Sequence, residues 1–167
     1  MERLLALRCP KIVLNLTLDS KSILLVEDNS SDVELTIRAF KRCHIANEII
    51  VAEDGQEALD YLWGRGKWVG RNPSDTPALT LLDLKLPKIS GLDVLRQIRA
   101  EPSTRRLPVV ILTSSREERD IAAGYDYGVN GYIRKAVDFA AFAVTVQQLG
   151  LYWLQINEPP PAPRSPA

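Results

Sequence analysis

Short apolar runs that stop abruptly on a polar residue constrain this chain more than any other feature. Residues 23–26 (ILLV) run into Glu27, Asp28 and Asn29, residues 79–82 (LTLL) into Asp83, and residues 108–112 (PVVIL) into Thr113. A fourth, shorter run, Tyr132, Ile133 and Arg134, stops on Lys135. Between the runs the spacing turns helical. After Ser30, Ser31 and Asp32, the residues Val33, Ile37 and Phe40 keep a helical period, with Leu35 and Ala39 widening the apolar set. Further helices are predicted over 55–63, 90–100, 117–127 and from 138 to about 156, and a further strand over 48–52. Buried strands alternating with helices predict an α/β domain built on a parallel sheet. Such sheets bind ligands at the carboxyl ends of their strands, so the residues that stop these runs converge on one edge.

Three carboxylates at that edge, Glu27, Asp28 and Asp83, need compensation. Unit charges about 4 Å apart repel by roughly 4 kcal/mol at an effective dielectric near 20. Such a cluster takes up protons or holds a cation. Its ligands are hard oxygens with no His or Cys among them, which selects Mg²⁺ or Mn²⁺ over zinc. A divalent ion beside Asp83 would draw a phosphoryl group toward it. Thr113 adds a hydroxyl donor and Lys135 a cation at neighbouring strand ends.

In this order and context, the strings ILLVEDN, LLDLKLPKISGLDVL, VVILTSS and GYIRKA resemble the receiver domain of two-component response regulators over about residues 22–156. The resemblance implies a doubly wound, flavodoxin-like fold with a five-stranded parallel sheet in the order 2-1-3-4-5 and helices on both faces. That order sets the acids of the first and third strands side by side. The resemblance also assigns roles. Asp83 is the phosphoacceptor, whose carboxylate attacks a phosphohistidine to give an acyl phosphate. Asp28 is a direct Mg²⁺ ligand, Glu27 reaches the ion through water, and the backbone carbonyl of Lys85 joins Asp83 in the set. Thr113 and Lys135 bond the transferred phosphoryl group, and Tyr132 is the switch aromatic that turns inward when Thr113 moves. Taken singly, Asp83 would read as a turn cap, Glu27 and Asp28 as acids favouring the next helix, and Tyr132 as packing.

The chain departs from the family pattern after Lys135. Most receivers place a cis proline there, whereas Ala136 follows here and a cis bond would cost about 3 kcal/mol. A rearranged loop is therefore expected. The connection 64–77, GRGKWVGRNPSDTP, is also longer than usual. Together with LYWL at 151–154, these features resemble the phytochrome-associated response regulators, a single-domain branch that pairs with photoreceptor histidine kinases. The implied partner is a histidine kinase, in the narrower reading a bacteriophytochrome. His44 reads as a cap at the end of the first helix and Trp68 as the anchor of the long loop.

Two other classes compete. A haloacid-dehalogenase-type phosphohydrolase also uses a strand-end Asp, Mg²⁺, Thr or Ser and Lys, but it needs a second Asp two residues on as acid and base, where this chain has Lys85. A phosphate-independent scaffold would lack part of the acid, Thr and Lys set, all of which is present. The expectation is a phosphoacceptor with at most slow self-dephosphorylation rather than a turnover enzyme.

Composition narrows the rest. Lys plus Arg equals Asp plus Glu at 21 each, so the positive excess of a nucleic-acid footprint is missing and no such partner is expected. The 167 residues suit one domain rather than a receiver plus an output domain. Cys9 and Cys43 read as inert thiols. Arg8, Pro10 and Lys11 interrupt the apolar LLAL, and no later run approaches a membrane span, so a cytoplasmic protein is expected. The divisions are a leader over 1–20 with no assigned role, a receiver over 21–156 and a Pro-rich tail over 157–167. The last helix carries Phe139, Phe142, Leu149, Leu151, Tyr152, Trp153 and Leu154, more apolar surface than one stripe buries. The family resemblance implies self-association through the fourth helix, fifth strand and fifth helix, and with this apolar surplus beside it an isologous homodimer is expected.

Overall fold

The computed structural model describes residues 21–161; the leader 1–20 and the tail from 162 lie outside the described residues. Five strands, β1 (Ile23–Val26), β2 (Ile49–Ala52), β3 (Leu79–Leu82), β4 (Val109–Thr113) and β5 (Gly131–Arg134), form one parallel sheet in the order β2-β1-β3-β4-β5. Strands β1, β3 and β4 are buried along their whole length. Continuous apolar runs rather than alternating ones are what a parallel sheet covered on both faces requires.

The cover comes from α1 (Ser30–Arg42) and α5 (Phe139–Leu151) on one face, where Ala39, Phe40, Phe142, Val146 and Leu149 meet Leu25, Leu81 and Leu112. The other face carries α2 (Gly55–Trp63) and α3 (Gly91–Ala100), which set Leu59, Leu62, Val94, Leu95 and Ile98 against Leu24, Val26, Leu82 and Ile111. The remaining helix, α4 (Glu118–Asp126), buries only Gly124 among its residues. Side-chain caps fix the starts of α1, α2, α3 and α5: Asn29 accepts from the amides of Ser31 and Asp32, Asp54 from Glu57, Ser90 from Asp93 and Asp138 from Ala141. The helix boundaries thus fall within a residue or two of the spacing-based expectation except at the chain's end.

There the expectation of one helix from 138 to about 156 is corrected. Helix α5 stops at Leu151 and the backbone widens into a π turn over Tyr152–Ile156. The turn separates the two adjacent aromatics: Trp153 packs against the α1–α5 core while Tyr152 stays 49% exposed, with the rings edge to face at 5.0 Å. A second correction concerns α1, where Leu35 is exposed and Thr36 is buried in its place. Thr36 tolerates burial because its hydroxyl donates to the Asp32 carbonyl at 2.7 Å. His44 ends α1 through its backbone, in the left-handed region at φ 56° with its amide on the Lys41 carbonyl. Trp68 anchors the long connection on Tyr61, ring centroids 4.9 Å apart, in a 3₁₀ turn over Gly66–Trp68. No helix among the described residues is long and apolar enough to cross a membrane.

Candidate functional site

The ladder hydrogen bonds continue one residue past three of the strands and so fix the backbone of the site. The Glu27 amide donates to the Ala52 carbonyl at 3.0 Å, the Asp83 amide to Val26 at 3.0 Å and the Lys135 amide to Thr113 at 2.9 Å. Glu27 and Asp83 therefore stand side by side, with Thr113 and Lys135 beyond them. One carboxylate oxygen from each of Glu27, Asp28 and Asp83 lies within 4.8 Å of the other two. Glu27 and Asp83 are buried and Asp28 is open to solvent.

Both oxygens of Asp83 are engaged. Oδ1 accepts from the Leu84 amide at 2.6 Å and from the Thr113 hydroxyl at 2.7 Å, while Oδ2 accepts from Lys135 Nζ at 2.9 Å. The same ammonium pairs with Glu27 and, at 2.9 Å, with Asp32 Oδ2. Glu27 Oε1 accepts from the Asn29 amide at 3.1 Å. Three carboxylates thus pair with one ammonium, and Asp28 adds a fourth negative group to the cluster. The protein's way of carrying this excess shows in the ionisation of each group. Burial pushes Glu27 up to about 7, only partly countered by Lys135 and reinforced by the charge on Asp83. Burial would raise Asp83 too, but the bonds from Thr113 and Lys135 outweigh it and hold the carboxyl below its usual range. Burial would lower Lys135, yet its three carboxylate partners win and raise it. At neutral pH Asp83 is therefore ionised and Glu27, at about 7, is the partly protonated group.

This arrangement suits a hard divalent cation, since the three clustered carboxylates offer only oxygen and carry more negative charge than Lys135 neutralises. It also sets a pH dependence. Metal affinity should climb as pH rises through about 7 and level off above it, as Glu27 gives up its proton. For folding, a raised carboxyl stabilises fully below its unfolded value of 4.5 and loses that contribution as pH rises through about 7. Asp83 runs the other way, losing its contribution as pH falls below the ordinary 3.8. Calorimetric Mg²⁺ titration from pH 5.5 to 8.5 reads the first effect, and an affinity independent of pH would remove Glu27 from the cation's surroundings.

The β4–α4 loop continues from Thr113 as a bonded chain. The Ser115 amide donates to Thr113 Oγ1 at 3.3 Å, Ser115 Oγ donates to Asp120 Oδ2 at 2.6 Å, and the Tyr132 hydroxyl donates to the Ser115 carbonyl at 3.5 Å. Burial raises the Tyr132 hydroxyl's pKa. The sequence-derived set is therefore assembled: Glu27, Asp28, Asp83, Thr113 and Lys135 meet at one edge, and Tyr132 is one loop away. Lys85 lies on the turn after Asp83 with its side chain exposed and its amide 3.4 Å from Asp83 Oδ1. No cis peptide occurs among the described residues, so Lys135 reaches its partners through a trans bond to Ala136. Sequence reasoning missed Asp32, whose signal was present as a third acid one helical turn beyond Asp28 in EDNSSD. It also missed the Ser115–Asp120 bond.

The chain is similar to known proteins over most of its length. The family model of the response regulator receiver domain matches residues 23–147. The probable methanogenesis regulatory protein FilR2 of Methanothrix harundinacea is 40% identical over 83% of this chain and 86% of its own length. Response regulator Rcp1 of Synechocystis is 38% identical over 81% and 90%. The Mn²⁺-bound crystal structure of Rcp1 superimposes with a TM-score of 0.77, at 37% identity over 84% of this chain and 99% of that one. The phosphorylated cyanobacterial phytochrome response regulator RcpA gives 0.78 at 37% identity over 84% and 99%. The bacteriophytochrome response regulator AtBRR is 50% identical over 83% and 98%, with a TM-score of 0.67.

Proposed function

The chain belongs to the response regulator receiver family of two-component signalling, and from that premise we propose that Asp83 accepts a phosphoryl group from a histidine kinase. The observation that carries the proposal is the Asp83 carboxylate, ionised at a strand's carboxyl end and held by Thr113, Lys135 and the Leu84 amide. In the transfer an Asp83 oxygen bonds phosphorus as the N–P bond of the phosphohistidine breaks, and the imidazole leaves with the electron pair. Lys135 and the Thr113 hydroxyl then donate to the phosphoryl oxygens. Glu27, Asp28, Asp83 and the Lys85 carbonyl would hold Mg²⁺, with Mn²⁺ as a substitute, and that ion supplies charge neutralisation for the incoming anion. Thr113 drawn toward phosphate pulls on Ser115, and through its carbonyl on Tyr132, so the event reaches the α4–β5–α5 surface. Lys85 in place of a second Asp argues against hydrolysis of small phosphate esters. The intact acid, Thr and Lys set argues against a phosphate-independent scaffold. Incubation with acetyl phosphate and Mg²⁺, followed by intact mass and peptide mapping, tests the reading. One phosphate on the Asp83 peptide is expected, and phosphate elsewhere defeats the proposal.

The phytochrome relatives support a photoreceptor kinase as donor and a cytoplasmic site of action; the balanced charge supports a protein partner rather than nucleic acid. Residues 21–156 are the proposed receiver, flanked by the leader and the tail. Self-association through α4, β5 and α5 is proposed on a smaller apolar set than the sequence suggested. Phe142 and Leu149 are spent in the monomer core, leaving Tyr125, Tyr127, Val144, Leu151 and Tyr152 exposed. Tyr152→Ala with Leu151→Ala is expected to keep the fold and shift sedimentation toward monomer. Wild type that stays monomeric at high concentration, with and without beryllofluoride, would refute the dimer.

A further inference from the structure

Asp32 is the one carboxylate on Lys135 to which the transfer chemistry assigns no part. An ammonium has three N–H donors, and in this site all three are taken, by Glu27, Asp32 and Asp83. An arriving phosphoryl oxygen therefore has to displace one partner. The partners differ in what release costs them. The Glu27 and Asp83 side chains are only 4% and 9% exposed, so without a cation either would be left dry, whereas Asp32 is 37% exposed and is rehydrated on release with or without one. Asp32 sits at the third position of α1 and lines a small cleft with Thr36, Lys135, Ala136 and Phe142. Its backbone is fixed independently, the amide by Asn29 and the carbonyl by Thr36, so the side chain can let go without unwinding the helix.

We propose that Asp32 is a positioning residue that occupies, in the resting site, the Lys135 donor later taken by the phosphoryl group. It holds the ammonium at the mouth of the site and competes with the anion for it. The inference rests on Asp83 being the acceptor, and its consequence is a pair of effects of opposite sign. Removing the Asp32 charge frees a Lys135 donor for the anion, and it also takes one negative charge away from the cation's neighbourhood.

The test uses the full chain and its Asp32→Asn and Asp32→Glu variants, with two probes read by calorimetry: Mg²⁺ alone, and beryllofluoride at saturating Mg²⁺. Asp32→Asn should bind beryllofluoride about two- to fivefold more tightly and Mg²⁺ more weakly by a similar factor, the size expected of a half-exposed ion pair. Asp32→Glu should restore both toward wild type. A merely structural first-turn acid would shift the unfolding midpoint and leave both affinities alone or weaken both. If wild type binds both probes and Asp32→Asn matches it or loses affinity for both, the positioning role is overturned while the acceptor assignment stands. Wild type that binds no beryllofluoride overturns the acceptor assignment and this proposal with it.

Discussion

Asp83→Asn is expected to abolish the phosphate mass gain and beryllofluoride binding while keeping the fold. The amide is isosteric, and its oxygen can still accept from the Leu84 amide and the Thr113 hydroxyl. What it loses is the nucleophilic charge, and its nitrogen then faces the Lys135 ammonium donor to donor, where Oδ2 now accepts at 2.9 Å. Removing one partner of a buried ion pair costs about 3–5 kcal/mol when the survivor is left uncompensated. Lys135 keeps Glu27 and Asp32, so the loss should stay near about 1 kcal/mol in urea unfolding. A second consequence follows from Glu27, which is held up to about 7 in part by the charge on Asp83. Neutralising Asp83 should move the Glu27 titration to lower pH, observable by carboxyl NMR. A mass gain that persists in the variant and maps to Ser or Thr would remove Asp83 as acceptor.

The convergence of the candidate residues on one edge was legible in the sequence because parallel sheets impose the reading. A buried strand is dominated by apolar residues, so the polar residue that ends or follows it marks the sheet's edge, as Glu27, Asp83 and Thr113 do, while Lys135 follows the less buried β5 one residue beyond Arg134. Strand order came from the resemblance and agrees with the ladder. What the sequence hid were choices made between elements. Nothing in α1 alone says that Thr36 rather than Leu35 turns inward; that depends on how α1 seats against α5. Helix α5 is nearly uniform in apolar residues, so its periodicity carries little phase information, and the monomer-core roles of Phe142 and Leu149 could not be told from interface roles. Asp32 was hidden for the same reason: its partner Lys135 lies 103 residues away, and an acid in a helix's first turn already has a local explanation.

Gly91→Ala is expected to be the most damaging methyl addition near the site. It is the first residue of α3, and its amide donates to the Leu84 carbonyl at 2.9 Å, drawing the helix start onto the backbone that follows Asp83. A Cβ there would stand 2.1 Å from the Asp83 carbonyl oxygen and 2.7 Å from Leu84 Cα. Both are main-chain atoms tied into the sheet, since the Asp83 amide bonds Val26, so no side chain can swing aside to relieve the contact. Either α3 backs away from Leu82 and Leu84, opening the core, or the Asp83–Leu84 backbone shifts. Overpacking of this kind costs about 1–3 kcal/mol and more where backbone must move, so a loss of about 3 kcal/mol in urea unfolding is expected. If the shift is taken up at Asp83, its carboxylate leaves the positions set by Thr113 and Lys135. A displacement near 1 Å would then slow phosphoryl uptake by about 10²-fold. Gly131→Ala in β5 is the control: its added carbon would meet Val110 at an ordinary 3.6 Å, and both stability and uptake should stay close to wild type. Equal stability and equal uptake in the two variants would show that the approach of α3 to Asp83 is not what demands glycine at 91.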